Sequence, residues 1–388
     1  MIDGSLVFRT LPNPRSGVEN ERTVAVLHPV GHQRNPISRH ESQAHRRLLL
    51  DGRIADGFVI VMNHQVPGVP DITLADIRAA MGRIRSDIIR TPLVLCDAAS
   101  DRAGIPVYLK LENLQRTGAF KVRGALSKVT SLLPEERERG LICASSGNHG
   151  LGVAYASSRM GARCVVVLPE NANPHKVLLL KKLGAEIVKH GITSDVRQMK
   201  VDELSERHGY AQVHPFADPA LIAGQGTLGL EIVEDLPDVE EVYVPIGGGG
   251  LISGISVAIK EQRPTVRVYG VEPEHSNAMS EALRHGKPVA LERVETIADG
   301  LAAKITEALN FSVVSRFVDE VILVSDREIL DATWFLLEYA KVLVEPSAAA
   351  SFAGLLANPK RKGKALAVLS GGNVTLQQIE KLRQAWRA

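Results

Sequence analysis

Aromatic side chains are scarce in this chain, at 4% of its residues, which argues against a surface that stacks nucleic-acid bases. The formal charge is only +2 at pH 7, so neither nucleic acid nor an acidic membrane is favoured as a partner. There are three cysteines, Cys96, Cys143 and Cys164. Their spacing fits no metal-ligand pattern, and an odd, sparse set builds no disulfide framework. They read as small buried hydrophobes in a reducing compartment. No apolar run approaches the roughly 18 residues that span a bilayer. The N-terminus lacks a charged flank followed by an apolar signal core. A cytoplasmic protein is expected.

The first 70 residues differ from the rest. They hold eight arginines, five histidines and no lysine, with little apolar periodicity. They read as a poorly ordered extension. A basic targeting arm is weakened by six acidic residues, and translation starting at Met62 is an alternative. Beyond them, Thr73 can cap a helix over 74–84. Short β-branched runs then alternate with longer amphipathic stretches, giving expected strands at 106–110, 141–144, 164–168, 186–188, 241–246, 266–272, 320–324 and 365–369. Apolar strands separated by helices imply parallel sheets covered on both faces. So many strands predict an α/β protein with two domains, each a mostly parallel sheet flanked by helices. Ligands in such folds bind beyond the carboxyl ends of strands.

Four segments lie at such ends or carry unusual residues. Lys121 sits in Leu114-Gln-Arg-Thr-Gly-Ala-Phe-Lys-Val-Arg-Gly124. A lysine among small and apolar residues is a candidate for an amine held in a pocket, able to bond an aldehyde; a solvated surface lysine is the plain alternative. Ala144-Ser-Ser-Gly-Asn-His-Gly150 joins a strand to a helix, where free amides and the helix dipole suit an anion such as a carboxylate. It can also be a simple capped turn. Gly247-Gly-Gly-Gly250 lies between a buried strand and an apolar helix and can wrap a phosphate. No lysine follows, which excludes a triphosphate-binding Walker loop. Ser370, in Leu369-Ser-Gly-Gly-Asn373, offers a hydroxyl at a fourth strand end. Gly224-Gln-Gly-Thr-Leu-Gly229 matches G-x-G-x-x-G but follows no clear strand, so close packing at a helix start is preferred to a dinucleotide site.

An amine, a phosphate cradle, a carboxylate cradle and a hydroxyl form one coherent set. Together with Thr296-Ile-Ala-Asp-Gly-Leu-Ala302 they make the chain, over about 72–388, resemble the threonine/serine dehydratase family of fold type II, tryptophan-synthase-β-like, pyridoxal-phosphate enzymes. Ala119 departs from the serine often found before Phe-Lys, a change expected to be harmless. The resemblance implies residues 71–112 plus 215–388 as a large domain and 113–214 as a smaller one inserted in it. It implies pyridoxal 5'-phosphate as cofactor, bound covalently by Lys121, with Phe120 near its ring, Asn148 at its phenolic oxygen, Gly247, Gly248, Gly249 and Gly250 at its phosphate, and Ser370 at its pyridine nitrogen. Ser145, Gly147, Asn148 and His149 surround the substrate carboxylate, and Gly300 lines the substrate pocket. Ser146 matches a hydroxyl facing the substrate opposite the lysine in related racemases.

The implied reaction converts L-threonine to 2-oxobutanoate and ammonia, and L-serine to pyruvate. The alternatives are a serine or aspartate racemase, or a dehydratase for another hydroxy amino acid such as hydroxyaspartate or an ectoine-derived one; a non-catalytic carrier of the cofactor is disfavoured by the intact motifs. Glu272 matches a cation ligand of related racemases, but the further acid is replaced by Ala278 or its neighbours, so a structural strand-end acid is preferred. The chain runs about fifteen residues past Asn373, which predicts no long C-terminal regulatory domain and no isoleucine feedback through one. The resemblance suggests a homodimer or homotetramer.

Overall fold

The computed structural model describes residues 7–10, 23–26, 58–60, 66–145 and 147–387. The chain divides into two units, 1–53 and 54–388. In the first, strand β1 (Val7–Thr10) pairs antiparallel with β2 (Thr23–Val26). Apart from these strands, 58–60 and 66–70, the residues read as a poorly ordered extension lie outside the described residues, as does Ser146.

The second unit holds two sheets. The larger has seven strands in the order β3-β12-β11-β10-β13-β5-β4, where β3 is Phe58–Ile60, β4 Leu93–Leu95, β5 Val107–Leu111, β10 Glu241–Pro245, β11 Arg267–Pro273, β12 Glu320–Val324 and β13 Ala365–Leu369. The inner five run parallel, and β3 and β4 close the edges antiparallel. The smaller has four parallel strands in the order β8-β7-β6-β9: β6 Leu141–Cys143, β7 Cys164–Leu168, β8 Glu186–Lys189 and β9 Ala211–Gln212. Every residue of β7, β10 and β13 is buried. Burial on both faces is why these strands read as unbroken apolar runs. Short β9 and the edge strands β3 and β4 carry too few such residues to stand out, and they were not expected.

Local chemistry sets the helix starts. Thr73 caps Leu74–Ile84, accepting from the Asp76 amide at 3.2 Å while the Asp76 carboxylate accepts from the Thr73 amide at 2.9 Å, a reciprocal capping box. The G-x-G-x-x-G run lies inside the helix Pro219–Asp235, not at its start. Its glycines serve packing: a Cβ on Gly224 would meet the main-chain oxygen of Arg123 at 2.6 Å, and one on Gly229 would meet Ala258 Cβ at 2.7 Å. These close approaches seat the helix against Lys121–Ser131 and Gly250–Lys260, the two helices whose first turns carry the lysine and the glycines.

A buried ion cluster holds the lysine helix in place. Arg123, fully buried, donates to Glu112 at 2.8 Å and to Glu231 at 2.7 Å, and Lys110 Nζ lies 2.8 Å from Glu231. The charges balance within hydrogen-bond distance, which is the condition for tolerating them in a core. Of the cysteines, Cys143 and Cys164 are buried and Cys96 is partly exposed. Among the described residues no helix is long and apolar enough to cross a membrane.

Candidate functional site

One cavity of about 860 Å³ opens where the carboxyl ends of β5, β6, β10 and β13 lead into loops. It is large enough for a cofactor together with a small substrate. Phe120, Lys121, Ser145, Gly147, Asn148 and His149 line it, and so do Gly247 to Gly250, Gly300 and Ser370. Except for Ser146, outside the described residues, and Glu272, the residues singled out in the sequence therefore meet in one place.

Lys121 opens its helix just after Gly118, whose φ of 72° is left-handed and suits glycine. The lysine loop is tied to the segment after β13. The Phe120 amide donates to the Ser370 oxygen at 3.0 Å, the Gly372 amide donates to the Gly118 oxygen at 2.9 Å, and Ala119 bridges antiparallel to Gly371. Ala119 is thus fully buried in this two-loop ladder, which has no use for a hydroxyl. Lys121 Nζ donates to the Pro215 oxygen at 2.6 Å and lies 5.2 Å from the centre of the Phe120 ring. Burial pushes the amine down to about 8, against the pull of the Glu345 carboxylate. Desolvation of this kind makes a lysine available as a nucleophile and base near neutral pH.

The turn at 145–147 leads into the helix Asn148–Arg159, three residues earlier than the apolar pattern from Leu151 suggests. Gly147 has open space where a Cβ would stand, and the first-turn amides lack acceptors within the helix. The His149 imidazole N–H is committed within the fold. Its Nε2 lies 2.9 Å from the Val213 oxygen; a carbonyl only accepts, so Nε2 carries the proton. Burial, then the nearby Lys121 charge, push this imidazole down to about 3, and among the described residues its buried Nδ1 has no partner.

Asn148 is fixed from both sides. Its Nδ2 donates to Glu345 Oε1 at 2.7 Å, and its Oδ1 accepts from Asn373 Nδ2 at 2.8 Å. Glu345 stands just before the helix Pro346–Ala357, and burial pushes its carboxyl up to about 7. Glu345 was not singled out in the sequence. Its only local signal is an acid before the proline that starts a helix, which ordinary capping explains equally well. Asn373 stood within a quoted motif but without a role.

The glycine turn follows β10. Gly249 has a φ of 94°, and the helix Gly250–Lys260 starts there, leaving its first amides free for an anion. The Phe216 ring lies so close to Gly248 that any Cβ there would collide with it, and a Cβ on Gly250 would meet the Phe216 oxygen at 2.6 Å. Gly300 donates its amide to Ser347 Oγ at 2.8 Å. A phosphate cradle, a desolvated amine and an anion-binding turn on one cavity are the donor set that a phosphorylated aldehyde cofactor needs, so the residues present fit pyridoxal phosphate.

Glu272 lies outside this cavity, near the end of β11. Its carboxylate accepts from the Met279 amide at 2.9 Å, the Ser280 amide at 2.9 Å and Ser280 Oγ at 2.6 Å. These bonds place both carboxylate oxygens on the first turn of the helix Ala278–His285.

A family profile described as "Pyridoxal-phosphate dependent enzyme" matches residues 84–371. The chain is 45% identical over 312 residues to an L-threonine ammonia-lyase of Thermotoga maritima, a match covering 80% of this chain and 78% of that protein. It resembles the processed form of threonine deaminase isoform 2 from Solanum lycopersicum with a TM-score of 0.79 at 32% identity, covering 86% of this chain and 98% of that one. It resembles maize serine racemase with a TM-score of 0.77 at 34% identity, covering 81% and 97%. The chain belongs to the family of pyridoxal-phosphate-dependent enzymes.

Proposed function

We propose that this protein is a threonine ammonia-lyase that converts L-threonine to 2-oxobutanoate and ammonia, and L-serine to pyruvate and ammonia. The observation that carries the reading is the meeting of Lys121, the Gly247–Gly250 turn and the 145–149 turn on one cavity. Pyridoxal phosphate supplies, when bound, a conjugated ring that accepts the electrons left as the α-proton departs.

The protein's own residues do the rest. Lys121 would hold the cofactor through Nζ, and the same atom, made a competent base by burial, would take the α-proton. The amides of Gly247, Gly248, Gly249 and Gly250 would hold the phosphate, Ser370 would meet the ring nitrogen, Phe120 the ring and Asn148 the phenolic oxygen. Ser145, Gly147, Asn148 and His149 orient the substrate carboxylate, the last through its amide. Gly300 leaves room for the β-substituent. We read 113–214, which contains the whole smaller sheet, as an inserted domain, the chain as a homodimer or homotetramer, and its location as cytoplasmic.

The test is purified protein with added cofactor and L-threonine, with 2-oxobutanoate followed by a coupled reductase. No keto acid from threonine or serine at any cofactor concentration sinks the reading; light scattering checks the assembly. Racemisation of serine is a second reading, favoured by the likeness to maize serine racemase. It needs a second proton donor opposite the lysine, for which Ser146 is the candidate. Ser146→Ala should then impair inversion of L-serine far more than elimination.

A further inference from the structure

Asn148 stands in the middle of a chain of side-chain hydrogen bonds whose direction is set at one end. Asn373 Nδ2 donates to the Thr117 main-chain oxygen at 2.7 Å and to Asn148 Oδ1 at 2.8 Å. A carbonyl only accepts, so the first bond settles which end of the Asn373 amide is nitrogen. Both protons of that nitrogen are then spent. Asn148 Oδ1 has to accept, and Asn148 Nδ2 faces Glu345, to whose Oε1 it donates at 2.7 Å. A flipped Asn148 would set nitrogen against nitrogen at Asn373, whatever the charge on Glu345. The four partners come from four places: the lysine loop, the helix Asn148–Arg159, the start of the helix Pro346–Ala357 and the segment after β13. Two glycines make room for them. A Cβ on Gly118 would strike Asn373 Oδ1, and one on Gly371 would meet Glu345 Oε1 at 2.6 Å.

One Nδ2 proton of Asn148 remains, and Asn148 lines the cavity. We propose that Asn373 and Glu345 are positioning residues: they hold the Asn148 nitrogen as a donor, so that the site receives its cofactor with the phenolic oxygen as an anion. This rests on the placement of Asn148 at the phenolic oxygen given above. A hydrogen bond to a charged oxygen is roughly twice as strong as one to a neutral oxygen. An amide already oriented by its neighbours also has less rotamer freedom to lose when the cofactor arrives. Neither Asn373 nor Glu345 needs to touch the cofactor to exert this effect. Asn373 sets the direction from the segment that also carries Ser370, and Glu345 takes the proton that would otherwise be left without a partner.

The experiment measures equilibrium binding of pyridoxal 5'-phosphate, and of its 3-deoxy analogue without the phenolic hydroxyl, to the cofactor-free full chain by fluorescence titration. The quantity read is the ratio of the two affinities. Wild type should prefer the intact cofactor, and Asn148→Ala, which removes the donor, should set the floor of the ratio. Asn373→Asp, an acceptor of the same shape, and Glu345→Ala should each move the ratio about tenfold toward that floor. Glu345→Gln keeps an acceptor and should hold the wild-type ratio. A purely structural role would weaken both molecules alike and leave the ratio where it is. Circular dichroism checks folding, with Asn373→Ser and Glu345→Leu taking the place of any variant that does not fold. If Asn148→Ala collapses the ratio, an unchanged ratio in either the Asn373 or the Glu345→Ala variant, or a collapsed one in Glu345→Gln, overturns the proposal. No loss in Asn148→Ala instead removes Asn148 from the phenolic oxygen and takes this proposal with it. The lyase reading stands apart from both results, since no turnover is measured.

Discussion

Asn148 Nδ2 donates to Glu345 Oε1 at 2.7 Å across a separation of 197 positions. The amide expected at the cofactor ring is therefore oriented by an acid on another element. Burial raises that acid to about 7. The folded protein then keeps a proton that the unfolded chain releases, so this group's contribution is present at low pH and lost as pH climbs from about 4.5 to about 7. Glu345→Gln keeps the acceptor and removes the titration. Without cofactor it should be more stable than wild type at pH 8 by roughly 1–2 kcal/mol, and by less at pH 5, in urea unfolding. An identical pH slope in both proteins would count against the raised carboxyl.

Lys121→Ala should lose the visible absorbance of covalently held cofactor and all measurable turnover. In the cofactor-free wild type, an amine-selective reagent should label Lys121 with a midpoint near pH 8. A midpoint near that of ordinary lysines, about 10.4, would show that the cavity does not desolvate the amine.

Gly248→Ala drives a Cβ into the Phe216 ring. The turn must shift, and overpacking of this kind costs about 1–3 kcal/mol. Cofactor affinity should fall roughly 10- to 100-fold in fluorescence titration. The double change Gly248→Ala with Phe216→Ala should recover part of it. No recovery would mean that the ring is not what the added methyl group meets.

Glu272→Ala leaves the Met279 and Ser280 amides without their acceptor. It should lower stability by about 2–4 kcal/mol. Chelators should leave the Tm and threonine turnover of wild type unchanged, because both carboxylate oxygens already serve a helix start. Loss of activity on chelation, restored by calcium or magnesium, would overturn this role.

Much of the site was legible because its parts are local. Glycines that permit a close turn, a strand end followed by an apolar helix and a lysine among small residues all announce themselves within ten residues. Glu345 and Phe216 did not. Each acquires its place only when segments distant in the chain meet, and each carries an ordinary local explanation: a helix-start acid, an aromatic beside a proline. The same holds for the fold. Fully buried β7, β10 and β13 were plain, whereas β9 and the edge strands are too short to leave a pattern. The glycines of the G-x-G-x-x-G run also misplace a helix start, since packing against two neighbouring helices puts glycine where helix propensity would not.

The ladder joining Phe120 to Ser370 and Gly118 to Gly372 has a mechanical consequence. The Lys121 amine and the Ser370 hydroxyl ride on a single welded piece of backbone. If the cleft opens and shuts around a guest, those two groups travel as one body, and the hinge must lie elsewhere.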